Sequence, residues 1–454
     1  MTIAALPSST TVEELSAAVP EASTAVLSAG IGIVPASQTY LDIGQGTRLA
    51  SSLYPDLVPP LYVTGNRVSG LRWREVRERA ADAPADIEPG LLASELERAG
   101  VPIAARPLAG APALIAVDRY GRVRRTSQCE SGECAGVSVT SITLAELPGL
   151  AARATERPGD LLIALEKPPA DRELLAIGIA GAGFSGGGTL TSQSTRMGGY
   201  VLSTDLLPTI LERYGVAVPD AVGGRAIETT GSGDAGEVAD REVRLSEVDE
   251  RRSPVLGFNL VAWVAIGLVA SLIGGRAAAR VVLALLPTAM ASIPILLLLA
   301  VALGASELAE RILVGIGAPL AAAMLLAACR PLGDRAPFGA FAVAAAASVL
   351  AVAVDVIAGS PLTALSLLGP NPGFGVRFYG IGNELEATIA ALLLLGAGAA
   401  VTARAPRDPA RALAILVAVS VLAAVLVFAP GRFGADVGAA ITFPAGAAGA
   451  IIAA

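Results

Sequence analysis

The chain has 454 residues, with 33 Lys plus Arg, 40 Asp plus Glu and no histidine. At 53% hydrophobic and 16% charged it is too apolar for one soluble globule. Without histidine there is no Ser-His-Asp or Cys-His catalysis, no His-held haem and no His-bearing zinc site.

The charge is uneven. From Pro254 onward there are 10 Arg and 8 Asp or Glu, which leaves 23 basic and 32 acidic residues in the first 253. An acidic soluble domain followed by a nearly neutral membrane domain is expected. The acidic front argues against a nucleic-acid partner. Lys167 is the only lysine, and no G-x-x-x-x-G-K-[ST] phosphate loop occurs.

In chain order, 12–18 has a helical pattern and 24–29 is an apolar strand. A strand at 61–64 precedes helices at 73–81 and 91–99. Strands follow at 102–105, 113–117 and 136–139, then a helix at 144–155. Strands at 160–165, 174–179 and 200–203 lead to a helix at 204–214, capped by Ser203 or Thr204 and closed by Gly215. This alternation predicts an α/β domain over 1–228, with a mainly parallel sheet and helices on both faces. Ligands of such sheets sit beyond the carboxyl ends of the strands. Residues 229–253, rich in Gly and charge, read as a flexible linker, part of which could form a polar helix.

From 254 to 454 the pattern predicts an all-α polytopic bundle of about seven spans, at 254–275, 281–304, 312–329, 337–359, 382–402, 411–429 and 434–454. Arg276 and Arg280, Arg330 and Arg335, and Arg404, Arg407 and Arg411 fall in alternate loops. The other loops hold one arginine each: Arg311, Arg377 and Arg432. By the positive-inside rule the first set is cytoplasmic and the front domain exocytoplasmic, in a bacterial plasma membrane. Met1 to Ser28 lacks a basic start and a long apolar core, and the last span stops at Ala454 without a polar flank. Both features fit a fragment or a misplaced start; the alternative is an inverted topology. Cys129 and Cys134 suit a local disulfide or two idle thiols. Cys329 falls at the expected cytoplasmic end of the third span.

The string Gly199-Tyr200-Val201-Leu202-Ser203-Thr204-Asp205-Leu206-Leu207-Pro208-Thr209-Ile210-Leu211, followed by Tyr214-Gly215-Val216 and Pro219, resembles the closing part of the alkaline phosphatase superfamily. Gln38-Thr39-Tyr40-Leu41-Asp42-Ile43-Gly44-Gln45-Gly46 is similar to a segment of actinobacterial polytopic membrane proteins with such an ectodomain, and so is Phe378-Tyr379-Gly380-Ile381-Gly382-Asn383-Glu384. The first resemblance covers roughly residues 20–228. It implies an alkaline phosphatase-like fold and, in active members, two metal ions held by aspartates and histidines. This chain departs from that pattern. No Asp occurs before Asp42, and the expected place of a later metal segment reads Ala180-Gly181-Ala182-Gly183-Phe184-Ser185-Gly186-Gly187-Gly188. An incomplete, metal-free pseudo-enzyme is therefore expected, with no cofactor. The glycine run is either an anion cradle or a surface loop. Asp205 suits the first turn of its helix.

A polar cluster is expected at the outer face of the membrane half. Asp355 lies inside the fourth span, and an intramembrane carboxylate is a functional candidate. Asp355 and Glu384 are the candidate catalytic acids. Arg377, Tyr379, Asn383, Arg432 and Asp436 are the candidate binding residues for a lipid-linked or glycan phosphate, since guanidinium groups suit phosphate. Glu384 and Glu386 diverge by about 200° on one helix, so at most one faces the bundle. The purely structural alternative is mutual pairing, such as Asp355 with Arg377 or Arg432. Other functional alternatives are an active phosphoryl or phosphoethanolamine-type transferase using Asp42, Asp118 and Asp205, a transporter, and an assembly factor.

Overall fold

The computed structural model describes residues 1–106, 110–123, 136–157, 159–184, 186–231 and 233–453. The chain divides into two compact units. The first is Met1–Ser246 with Gly373–Val376, and the second is Glu247–Pro372 with Arg377–Ala454. Cys129, Cys134 and Ser185 lie outside the described residues.

The first unit is built on one mixed sheet of nine strands: β1 (Thr2–Leu6), β2 (Ser23–Ser28), β5 (Ile103–Arg106), β6 (Val137–Ser141), β7 (Leu161–Glu166), β8 (Leu174–Gly181), β9 (Thr189–Ser192), β10 (Tyr200–Leu202) and β11 (Ile227–Thr230). Its order is β11-β9-β2-β8-β7-β1-β6-β5, with β10 also paired to β2. β5, β6, β1 and β7 are mutually parallel, and so are β2, β9 and β10. β8 runs antiparallel to both β7 and β2, and β11 antiparallel to β9. The sheet is therefore mostly parallel but interrupted at its centre. The cause is local: residues 167–173 between β7 and β8 are too few for a crossover, which needs a dozen or more. β3 (Val63–Thr64) and β4 (Arg67–Val68) form a separate hairpin.

Both sheet faces are covered. Ile3 of β1 enters a core with Leu27, Leu41, Leu92 and Leu207, contributed by β2, α2 (Ala36–Gln45), α4 (Leu91–Arg98) and α6 (Leu206–Arg213). Ala4 and Leu6, one residue out of phase, enter a second core with Leu15 of α1 (Val12–Ala18) and Ala151 of α5 (Leu147–Glu156). α1 starts with a capping box: Glu14 N–H donates to Thr11 Oγ1, and Thr11 N–H donates to Glu14 Oε2. α3 (Gly70–Ala81) buries Trp73 and Val76.

Several expectations need correction. The segment around 113–117 is not a strand but a tight helical turn, Ala111–Ala116. Pro112 near its start has no N–H for a sheet ladder. β1, β9, β11 and α2 had no expected counterpart. α7 (Ala235–Arg252) occupies most of the stretch expected to be a flexible linker.

The second unit is helical. Five helices are long and apolar enough to cross a membrane, rather than the seven expected: Ala235–Ala302, Glu307–Ala328, Arg330–Ile357, Asn383–Arg404 and Pro409–Phe428. The difference lies in two places. α8 (Phe258–Ala302) carries a break at Gly275, where φ is 60° and ψ −149°. A Cβ on Gly267 would meet Val282, so the limbs on either side of Gly275 fold back on each other. The last apolar helix, α14 (Ala439–Ala453), is shorter than the others. Between them come α9 (Glu307–Ile312), α10 (Ala318–Ala328), α11 (Ala336–Ile357), α12 (Asn383–Arg404) and α13 (Pro409–Phe428). Small residues mediate close approach: a Cβ on Gly396 would stand 3.0 Å from the Ala345 Cβ. The exterior is apolar, with Ile273 84% exposed and Leu350, Leu395, Val419 and Leu422 also exposed. A water-facing bundle does not present such a surface.

Candidate functional site

The polar cluster of the helical unit is bound up in itself. Asp355, near the end of α11, is buried. Its Oδ1 accepts from Leu362 N–H (3.1 Å) and its Oδ2 from Thr363 N–H (2.6 Å). The carboxylate thus caps the turn after α11. The arginine expected beside it is elsewhere. Arg377 Nη1 lies 3.3 Å from Asp436 Oδ2 and also donates to the Ile381 carbonyl. Asp436 Oδ1 accepts from Gly438 N–H at 2.9 Å. A Cβ on Gly438 would sit 2.9 Å from Glu386 Oε2, so Glu386 reaches the same corner. Gly380 N–H donates to Ser360 Oγ (2.9 Å), and Ile381 N–H donates to the Gly434 carbonyl (3.0 Å). These bonds tie the segment after α11 to the one before α14.

The remaining candidates are placed differently. Asn383 and Glu384 are exposed on the first turn of α12. Arg432 is exposed with its guanidinium 5.4 Å from the Phe433 ring centre, and Tyr379 is half-buried. Of the expected set, Arg377 and Asp436 come together. Asp355 serves the backbone, and among the described residues it forms no ion pair with an arginine.

A second polar centre, in the α/β unit, was not anticipated. Gln38, Asp42 and Gln45 of α2 lie at i, i+4 and i+7, hence on one face, and all three are buried. Asp42 Oδ1 accepts from Gln38 Nε2 (2.7 Å) and Gln45 Nε2 (2.9 Å). Burial pushes the Asp42 carboxyl up to about 8, against the opposing pull of the Gln38 bond, Arg48 and Arg79. Asp42 is therefore mostly protonated at neutral pH. The Arg79 guanidinium stacks 3.4 Å over the Tyr54 ring, and its Nε donates to the Asp56 carbonyl (2.7 Å). The buried Gln38 Oε1, Thr39 Oγ1, Tyr40 hydroxyl and Tyr54 hydroxyl have no hydrogen-bond partner among the described residues.

Arg48, shortly after α2, reaches the carboxyl end of β2. Its Nη1 donates to Ser28 Oγ (2.8 Å) and the Gly30 carbonyl (3.1 Å), and its Nη2 to the Gly375 carbonyl (2.7 Å). Gly375 has φ +87°, and a side chain there would strike the Gly30 carbonyl, so this backbone approach requires glycine. Tyr200 is buried at the start of β10. Burial pushes its hydroxyl up to about 12, with Arg48 opposing.

Asp205 and Asp118 are both engaged by the backbone around them. Asp205 accepts four bonds: from Ser192 Oγ (2.6 Å), Ser194 Oγ (2.6 Å), Leu202 N–H (2.9 Å) and Arg225 N–H (2.9 Å). It pins the turns around β9 and β10, in keeping with a structural role. Asp118 Oδ1 accepts from Tyr120 N–H and Arg122 N–H, both at 2.8 Å, and closes a turn. In the glycine run, Gly186 N–H and Gly187 N–H both donate to the Glu21 carbonyl, so these two donors are used within the fold. Among the described residues no three Asp, Glu or Cys come together in a group that could hold a metal ion. The donor set does not fit the two-metal centre that the phosphatase resemblance implies.

Comparison of the chain with known protein families, with curated proteins and with solved structures found no match.

Proposed function

We propose that the chain is a polytopic protein of the bacterial cell envelope whose α/β unit is a phosphatase-like pseudo-enzyme. It binds a phosphate-bearing lipid-linked or glycan ligand and does not hydrolyse it. The observation that carries this reading lies at the carboxyl end of β2. In active members of the family that the sequence resembles, the first metal-binding aspartate follows the first strand, and the first strand expected from the sequence, 24–29, is β2 in the structure. This chain has Ser28, with Arg48 hydrogen-bonded to it at 2.8 Å. A fixed guanidinium repels a metal cation and attracts an anion. The four donors on Asp205, two to each oxygen, support the same reading, because an acid holding that many donors is a poor ligand or base.

Membrane embedding is supported by the five long apolar helices and their apolar exterior. With the reversal at Gly275 and with α14 counted, the reading has seven crossings. The clustering of Arg276 and Arg280, Arg330 and Arg335, and Arg404, Arg407 and Arg411 supports an outer location for the α/β unit. In the outer cluster, Arg377 and Asp436 act first as a structural clamp. Arg432, Asn383 and Glu384 are exposed polar residues of the same unit.

The test is phosphodiester hydrolysis by the purified full chain. Incubated with bis(p-nitrophenyl) phosphate and Mn, Zn, Mg or Ca, it should release product at the rate of the buffer. Metal-dependent turnover that disappears in Asp42→Asn or Asp205→Asn would overturn the pseudo-enzyme reading and favour the transferase alternative.

A further inference from the structure

The helical unit carries a long apolar groove, of about 1110 Å3, lined by α11, α12 and α13 and by the turn before α11. Small residues line much of it, among them Gly339, Ala346 and Gly396. One end is lined by Arg335 and Arg404, and the other by Ile357 and Phe428. From Gly339 to Ile357 the groove follows α11 for about 27 Å, at 1.5 Å per residue. That is close to the hydrocarbon thickness of a bilayer, about 30 Å.

Two observations select the occupant. The first is charge. Arg335 and Arg404 form no ion pair among the described residues, and they are the charged residues that line the groove. Around them the sequence adds Arg330, Arg407 and Arg411 against Asp334 and Asp408. This end attracts an anion and favours a phosphate, which guanidinium groups hold well. The second is length. A phospholipid tail reaches only the bilayer midplane, roughly half of that 30 Å core. A single chain that runs the groove from the arginine end must be longer than one leaflet. We propose that the groove binds a long-chain isoprenoid phosphate, with its phosphate at Arg335 and Arg404 and its chain along α11 towards Phe428. This rests on the membrane reading above, but adds a site at the end of the bundle opposite Arg377 and Asp436.

The test uses the full chain purified in detergent and native mass spectrometry, with undecaprenyl phosphate, farnesyl phosphate, undecaprenol and phosphatidylglycerol as probes. Undecaprenyl phosphate should bind about tenfold more tightly than each of the other three. Arg335→Gln with Arg404→Gln should bring it down to the level of undecaprenol. Ala346→Phe, which fills the groove, should weaken undecaprenyl phosphate more than farnesyl phosphate. If Ala346→Phe does not fold, the arginine pair still decides, because both residues sit at the groove end rather than in the packed interior. Equal binding of phosphatidylglycerol and undecaprenyl phosphate would overturn the proposal in favour of ordinary anionic lipid. Equal binding of undecaprenyl phosphate and undecaprenol, or none by any probe, would overturn it in favour of a groove filled by bulk lipid tails. Membrane insertion is read separately, by retention of the full chain in membranes after alkaline carbonate extraction. Loss there sinks the membrane reading itself, whereas retention without probe selectivity sinks only the groove proposal.

Discussion

Arg48 donates through Nη1 to Ser28 Oγ at 2.8 Å, which puts a fixed positive charge at the carboxyl end of β2. In an α/β sheet that end is where ligands collect. The same guanidinium holds the carbonyls of Gly30 and Gly375, so it also serves as a backbone anchor.

Loss of that anchor should be costly. Arg48→Met leaves Ser28 and two carbonyls without their donor, for a loss of about 3 kcal/mol. For a domain of this size that is a fall of roughly 6–12 °C in the apparent midpoint. Arg48→Lys keeps the charge but not the planar fork, and should lose less. Thermal unfolding of the full chain, followed by near-UV circular dichroism, checks this. A wild-type midpoint for Arg48→Met would show that the contacts are incidental.

Asp42 makes stability depend on pH in an unusual direction. Its folded pKa is raised to about 8, from an unfolded value near 3.9. Folding therefore takes up a proton between these values. The contribution is fully present below about pH 4 and is lost as pH rises through about 8. Asp42→Asn keeps an acceptor for Gln38 and Gln45 and removes the titration. Urea unfolding at pH 5, 7 and 9 should show the wild type losing stability relative to Asp42→Asn. A constant difference between the two across the range would contradict the assignment.

The polar cluster of the helical unit should behave as structure before chemistry. A double-mutant cycle on Arg377→Met and Asp436→Asn should give a coupling of about 1–2 kcal/mol in the stability of the detergent-solubilised chain. Asp355→Asn should cost about 1–2 kcal/mol, because it weakens the cap on Leu362 and Thr363. Additive single changes would mean that Arg377 and Asp436 do not depend on each other.

These results bear on what could be read before the fold was known. Apolar runs and arginine positions located the helical segments, because lipid imposes length and charge rules on the sequence itself. Helix α1 was legible as a helical pattern over 12–18, and the structure adds a local capping box of Thr11 and Glu14 at its start. The reversal of β8 was less visible, since it depends on the shortness of 167–173 and not on any strand propensity. α2 escaped notice because Gln38, Asp42 and Gln45 are buried along with its apolar residues, which blurs the polar-apolar contrast that marks a helix. The pairing of Arg377 with Asp436 rather than Asp355 depends on loops that only the tertiary fold brings together. Arg48 carried no motif, and its spacing from Ser28 is meaningful only once β2 and α2 are in place.

Orientation has a direct consequence. Arg276→Cys, at the tip of the α8 hairpin, should react with impermeant maleimide only after the membrane is opened. Glu384→Cys, exposed on α12, should react in intact cells. Both variants need Cys129, Cys134 and Cys329 replaced by serine. The reverse pattern would place the α/β unit in the cytoplasm.

The proposed function turns on Arg48 standing at the carboxyl end of β2 and on the α/β unit holding no metal. The most direct measurement is the metal content of the purified full chain, by elemental mass spectrometry after dialysis against trace Mn, Zn, Mg and Ca. The account predicts far less than one metal per chain, with no rise in Arg48→Met. Near-stoichiometric metal that is lost in Asp42→Asn or Asp205→Asn would contradict it.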